Sequence, residues 1–569
     1  QALGRGLADK IFYLTPKSTL GDVLSDTINM LRREQKIRLK TITITAKDKI
    51  CLKKEASCSP DKCPYASGHY SHINEAIYDL LTHEDNYNQD TITFYAAKYK
   101  VCPFELSLDM SLFADVIICD YNYAFDPFVY LKRFFSGKND NKFIFLIDEA
   151  HNLVDRARNM YSASLCLDDI SSLINMENLA DDVKNNAKLV HDEINKIAID
   201  SKRPQILERD DEFEEMLQTL ANSISVFLNK ENTIMQKELL IDIFFKIHKF
   251  ISSFGYGIKD NKLYSEWDED TFKMVSYCVD PSKALLCIMD LAVSTILFSA
   301  TFLPIQYYKS LLGGRSDDFE MYADSIFDKK KQKLIIASDL NTKYVNRNDD
   351  LYKKIAEYIN KIYESHHGNY LVFFPSYVFM QEVYDKFMQI SDTKQNIDIL
   401  LQGPSMTDIE RNDYISRFTT KNDLNLSEMI NMDIDIVDNR DVIGFCLMGG
   451  IFSEGIDLVA DRLIGSIIIG TGTPLVCNEK EIVRLYFDEK GKDGFNYAYR
   501  YPGMNKVMQA AGRVIRTADD IGIVVLLDNR FLEREYQRLF PRDWSNFQKV
   551  STGTVNDILV SFWNNFPLK

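Results

Sequence analysis

Short runs of β-branched and aromatic residues alternate along this chain with stretches of helical period, the pattern of parallel α/β sheets. Residues 11–14, 116–119, 143–147 and 295–298 read as strands of one sheet, and 370–374, 442–448, 463–469 and 521–527 as strands of a second. Between residues 165 and 281 the pattern turns helical. Val183, Ala187, Val190, Ile194 and Ile197 recur at spacings of four and three, as do Phe213, Leu217, Leu220, Ile224 and Phe227, which predicts core-facing stripes of a helical insertion. Residues 47–104 are tyrosine-rich, contain cysteines and show no clear strand. The Asp- and Asn-rich stretch 424–440 reads as a surface loop.

Composition narrows the class. A chain of 569 residues holds several domains, roughly one per 150 residues. A net charge of −16 argues against a protein that coats nucleic acid over its whole surface, while leaving room for a local basic groove. No apolar run reaches the roughly 18 residues of a membrane span and no signal-peptide pattern opens the chain, so the expectation is an intracellular, cytoplasmic protein with no membrane association. Its cysteines should then be thiols or metal ligands.

Chemistry concentrates at the ends of the expected strands. Asp148-Glu149-Ala150-His151 follows the apolar run 143–147, at the carboxyl end of a strand, where ligands of open α/β sheets sit. Asp148 can hold Mg²⁺ and Glu149 can orient or deprotonate an attacking water, with His151 contacting neighbouring motifs. A lone tetrapeptide of this kind equally fits a solvated acidic turn. Gln509-Ala510-Ala511-Gly512-Arg513-Val514-Ile515-Arg516 is expected to present Arg513 and Arg516 on one face of a helix, suited to phosphate oxygens, with Gly512 marking a close approach. The glycine-rich stretch Gly449-Gly450-Ile451-Phe452-Ser453-Glu454-Gly455-Ile456-Asp457 follows a strand, with Asp457 available to a ribose or a water. Ser299-Ala300-Thr301 also follows a strand, where hydroxyls are common turn residues. Cys51, Cys58, Cys63 and Cys102 have six, four and thirty-eight residues between them, soft donors in a set of four that suits zinc or an iron-sulfur cluster.

Taken in order, the Asp148 tetrapeptide, Ser299 to Thr301, Phe373-Phe374-Pro375-Ser376-Tyr377, the Gly449 stretch and the Gln509 stretch resemble the motif series of superfamily 2 helicases. A four-cysteine insertion between the first sheet strand and the Asp148 tetrapeptide, followed by a helical insertion between that tetrapeptide and Ser299 to Thr301, resembles the XPD/DinG family of iron-sulfur DNA helicases. Cys102-Pro103-Phe104-Glu105, Ile118 to Tyr123 and Tyr499 to Gly503 look like its bacterial DinG-related branch.

That resemblance implies two RecA-like parallel-sheet motor domains. The first comprises 1–46, 105–164 and 282–325, and is interrupted by an iron-sulfur domain at 47–104 and a helical arch at 165–281. The second is 326–569. It implies an ATP-dependent DNA helicase moving 5′ to 3′ on single-stranded DNA and acting at duplex junctions, in DNA repair or replication, as a monomer. ATP and Mg²⁺ would be handled by Asp148, Glu149, His151, Gly455, Asp457, Gln509, Gly512, Arg513 and Arg516. The four cysteines would ligate a [4Fe-4S] cluster, and Thr15 and Lys17 match a motif whose members touch the DNA backbone. A translocase that does not unwind, or a non-catalytic single-strand binding module, are the other readings. The pattern G-x-x-x-x-G-K-[ST] of a phosphate loop does not occur, so these 569 residues are expected to bind ATP poorly by themselves, the loop lying before Gln1.

Overall fold

In the computed structural model all residues are described except 17, 54–57, 59, 136–141, 201–203, 231–235, 256–260, 391–396, 419–439, 453–457, 459–461 and 567–569, with backbone alone at 18–23, 200 and 408. The expected loop at 424–440 therefore falls almost entirely outside the described residues. The chain divides into two compact units, Gln1–Phe302 with Tyr308–Asp318, and Leu303–Tyr307 with Phe319–Lys569.

The first unit holds strands β1 (Lys10–Thr15), β2 (Thr41–Thr43), β3 (Asn86–Tyr87), β4 (Val116–Asp120), β5 (Phe143–Ile147), β6 (Ala163–Cys166), β7 (Gln205–Leu207), β8 (Lys262–Asp268), β9 (Thr271–Tyr277) and β10 (Ser294–Leu297). Six of them form a sheet in the order β10-β5-β1-β4-β2-β3, every pairing parallel. Strand β1 is central because Phe12 and Leu14 are wholly buried. Phe12 packs edge-on or tilted against Phe134, Phe135, Phe143 and Phe145, with ring centroids 5.1 to 5.8 Å apart. The Lys10 ammonium ties the start of β1 to the carbonyls of Leu112 and Ala114, each at 2.7 Å. Strand β3 corrects the expectation that 47–104 contains no strand. It is only two residues long and pairs with β2, so it left no periodic trace.

The second insertion is less purely helical than its pattern. Helices Asp181–Asp200 and Asp211–Lys230 carry the expected stripes, with Val183, Ala187, Val190, Ile194, Leu217, Leu220 and Ile224 wholly buried, and Lys237–Ser252 joins their core. They pack on an antiparallel sheet, β6-β9-β8-β7, which the helical reading missed. Its central hairpin turns through Glu269, at φ 53°, and Asp270, so charged residues stand where Asn or Gly would have signalled the turn.

The second unit carries β11 (Gln332–Ala337), β12 (Tyr370–Phe374), β13 (Ile397–Leu401), β14 (Asp441–Leu447), β15 (Gly465–Ile469), β16 (Gly522–Leu527) and β17 (Gln548–Val550). They form a parallel sheet in the order β13-β14-β12-β15-β16-β11-β17. Every residue of β12, β15 and β16 is buried, which explains their apolar character; the buried Ser466 of β15 donates its hydroxyl to the Ala510 carbonyl at 3.0 Å. Helices Asp349–Ser365 and Val555–Asn565 cover one face and Tyr501–Ala511 the other. Among the described residues no helix is long and apolar enough to cross a membrane.

Candidate nucleotide site and cysteine cluster

The carboxyl ends of β1, β5 and β10 meet at the Asp148 tetrapeptide. The Asp148 N–H continues the ladder by donating to the Leu14 carbonyl at 2.9 Å, and Phe298 N–H donates to Ile147 at 3.0 Å. The chain then turns sharply, because Glu149 adopts a left-handed conformation with φ 46°. For a residue with a Cβ this costs on the order of 1–2 kcal/mol, offset by the contacts that fix the turn. Tyr121 donates to the carbonyls of Asp148 and Glu149, at 3.0 Å to the latter, while Ala150 N–H donates to Phe298 at 3.1 Å. Tyr13, on β1, donates to Asp148 Oδ2 at 2.6 Å. Burial, reinforced by the Asp148 carboxylate, raises the Tyr13 pKa, so the phenol stays a neutral donor at any physiological pH.

Glu149 and His151 face the turn after β10. His151 is buried, with Nδ1 2.7 Å from Ser299 Oγ and 3.3 Å from Thr301 Oγ1. The same serine hydroxyl donates to Glu149 Oε2 at 3.4 Å and accepts from Thr301 N–H at 3.1 Å. One hydroxyl therefore touches both the candidate base and the histidine, linking two motifs 150 residues apart. Thr15 ends β1 and is only 2% exposed, and Lys17 lies outside the described residues.

In the second unit, β14 runs into a turn at Gly449, where φ is 70° and a Cβ would meet Lys506 Cε at 2.9 Å. Lys506 comes from helix Tyr501–Ala511, so the glycine-rich stretch and the Gln509 stretch adjoin there. Gly455 and Asp457 lie outside the described residues. Gln402 braces the same turn, accepting from Leu447 N–H at 2.9 Å and donating to the Tyr377 hydroxyl at 3.2 Å.

The expected helical face of arginines is corrected. The helix ends at Ala511 with Gly512 as its cap, so buried Gln509 lies on it while Arg513 and Arg516 lie beyond it. The buried Asp520 carboxylate accepts from Arg516 N–H at 2.6 Å and Thr517 N–H at 2.7 Å, capturing amides that a continuing helix would need. Val514, 1% exposed, anchors the resulting loop in the core.

The four cysteines are free thiols, with Cys58 exposed and Cys51, Cys63 and Cys102 half-buried. Cys63 and Cys102 each precede a helix that opens on proline. Burial raises the Cys102 thiol pKa, with the nearby Glu105 and Phe104 backbone N–H groups acting the other way, and the neighbouring Cys58 raises the Lys47 pKa. Among the described residues, however, no three His, Cys, Asp or Glu side chains are gathered closely enough to hold a metal ion. The donor chemistry suits a cluster; the four sulfurs do not converge on one.

A parallel sheet whose carboxyl edge carries an acidic pair and a histidine-serine contact, in a chain with a second parallel α/β unit, is the RecA-like motor architecture. Two family models match, a helicase C-terminal domain over residues 359–547 and DEAD_2 over 30–170. The ATP-dependent DNA helicase XPD of Sulfolobus acidocaldarius is 24% identical over 441 residues, covering 76% of this chain and 72% of the relative. The ATP-dependent DNA helicase CHL1 of Candida glabrata is 22% identical over 585 residues, covering 89% of this chain and 65% of the relative. A solved XPD helicase shares the fold with a TM-score of 0.57 at 19% identity, over 96% of this chain and 92% of that one. The chain belongs to the XPD/Rad3-type family of superfamily 2 helicases. These relatives are consistent with the DinG-related branch without singling it out.

Proposed function

We propose that this protein is an ATP-dependent DNA helicase that translocates 5′ to 3′ along single-stranded DNA, opens duplex junctions and serves DNA repair. What carries the reading is the Ser299 hydroxyl shared by Glu149 and His151, in a chain whose relatives are named ATP-dependent DNA helicases. Asp148 holds Mg²⁺, oriented by Tyr13, and Glu149 activates the water. His151 senses the state of the Ser299 turn. Arg513 and Arg516 bind the γ-phosphate, with Gln509, Gly512, Gly455 and Asp457 completing the nucleotide contacts. Of Thr15 and Lys17, Lys17 approaches the DNA backbone, since Thr15 is buried at the end of β1. The motor acts as a monomer, divided as the motif order implies, with 47–104 and 165–281 inserted into the first RecA-like domain.

The test uses the encoded full-length protein, with ATP hydrolysis measured with and without single-stranded DNA and strand separation measured on duplexes with 5′ or 3′ tails. Stimulated hydrolysis with opening of 5′-tailed duplexes is expected. Hydrolysis without opening would replace the helicase by a translocase, and absence of hydrolysis would leave only a binding module.

Cys51, Cys58, Cys63 and Cys102 are the proposed ligands of a [4Fe-4S] cluster, supported by four soft donors in one insertion. When bound, the cluster supplies a cross-link that braces residues 47–104. Purified protein should show broad visible absorbance and bound iron, and Cys63→Ser should lose both while lowering strand separation more than basal hydrolysis. Protein that holds one zinc and no iron would remove the cluster assignment.

A further inference from the structure

The loop 338–348 follows β11 at the carboxyl edge of the second sheet, and its fixation is unusually thorough. Asp528, wholly buried just past β16, accepts from Thr342 N–H at 3.0 Å and from the Thr342 hydroxyl, and from Arg530 Nε and Nη2 at 2.9 and 2.8 Å. Asn341 accepts from Lys343 N–H at 3.1 Å and from the Asn346 amide at 2.9 Å, and donates to Asn529 at 3.1 Å. Gly470, at the end of β15 with φ 82°, lets Thr342 approach, since a Cβ there would lie 2.9 Å from its hydroxyl.

This rigid loop presents Lys343, Tyr344 and Arg347. Arg347 is half-buried, with its guanidinium 4.5 Å from the Phe379 ring and 5.6 Å from the Tyr344 ring, and its Nε donates to the Thr342 carbonyl at 3.3 Å. Among the described residues no carboxylate pairs with it. Burial lowers its pKa and neighbouring Arg530 adds repulsion, so the protein holds a cation there without a neutralising partner. Arg530 itself is engaged with Asp528. Tyr344 is 83% exposed, too open to serve the core, and Lys343 is exposed beside it. In a chain of net charge −16, an unpaired arginine clamped between aromatic rings beside an open tyrosine calls for an anionic, stackable ligand.

We infer that loop 338–348 is a single-stranded nucleic acid site in which Arg347 and Lys343 take backbone phosphate oxygens and Tyr344 stacks on a base. The inference rests on the helicase reading and adds to it a contact outside the expected motifs. Its position at the carboxyl edge of β11, β15 and β16 is where ligands of open parallel sheets bind.

Fluorescence anisotropy of the full-length protein with a labelled single-stranded oligothymidylate, titrated at several salt concentrations, tests it. Arg347→Ala and Lys343→Ala should each make the log-log salt dependence shallower by about 0.7, the loss of one phosphate contact on a single strand. Tyr344→Ala should weaken binding roughly tenfold with the salt slope unchanged, as loss of one stacked base implies. Lys343 and Tyr344 are exposed, so their variants report on binding even if Arg347→Ala, which strips a cation from Phe379, lowers stability. Wild-type affinity and slope in Lys343→Ala and Tyr344→Ala would overturn the site, as would a change confined to the KM for ATP. If the unaltered protein failed to bind the oligonucleotide at all, the helicase reading itself would fall instead.

Discussion

Glu149→Gln is expected to abolish ATP turnover while leaving nucleotide affinity within a few-fold of the unaltered protein. Glutamine keeps the length and the oxygen that accepts from Ser299, so the left-handed turn at φ 46° and its bonds from Tyr121 and Ala150 should persist. What is lost is the carboxylate proposed to orient and deprotonate water, a contribution of about 10² to 10⁴ in rate. Asp148, the proposed Mg²⁺ residue, is unchanged, its Oδ2 accepting from Tyr13 at 2.6 Å and its Oδ1 from Glu149 N–H at 2.8 Å, which is why binding should survive. Steady-state hydrolysis and equilibrium binding of a fluorescent nucleotide by the full-length protein separate the two effects. Turnover within tenfold of the unaltered protein would remove Glu149 from the proposed chemistry.

Much of the motor was legible because buried parallel strands advertise themselves. β5, β12 and β16 are unbroken apolar runs followed by chemically distinctive residues, and the parallel sheets follow from the alternation of such runs with helices. The partners of those residues were not legible. Tyr13 lies 135 positions from Asp148, and nothing in its neighbours marks it as the donor to that carboxylate. Gln402, Lys506 and the Thr342, Asp528 and Arg530 network are likewise ordinary polar residues until the sheet edges bring them together. A weak signal did exist for the last of these: an aspartate directly after a fully apolar strand resembles the setting of Asp148.

Two of the three missed features were hidden because local polar groups overrode periodicity, and the third by its length. The antiparallel sheet of the second insertion hides behind a hairpin turned by charged residues, and β3 is too short to alternate. Helical spacing placed Arg513 and Arg516 on one face, but that presumed a helix continuing through Gly512. Asp520, four residues beyond Arg516, captures the backbone amides first. A glycine followed by two β-branched residues and then an aspartate within reach of its own preceding amides is a stop signal that the arginine spacing obscured.

That loop geometry shapes the second large expectation. Arg513→Ala should lower the ATP turnover of the full-length protein by about three to five orders of magnitude, the range for an arginine that stabilises phosphoryl transfer. The Asp520 carboxylate still holds the Arg516 and Thr517 amides and Val514 still anchors the loop in the core, so the variant should fold. Arg513→Lys should not rescue turnover, since a point charge does not replace the planar fork that spans two phosphate oxygens. Nucleotide affinity should fall much less than turnover, because charge on those oxygens grows toward the transition state. Rapid-quench or steady-state hydrolysis beside thermal melting distinguishes these cases. Full rescue by lysine would reduce the role to charge alone, and turnover within tenfold in the alanine variant would remove Arg513 from the γ-phosphate site.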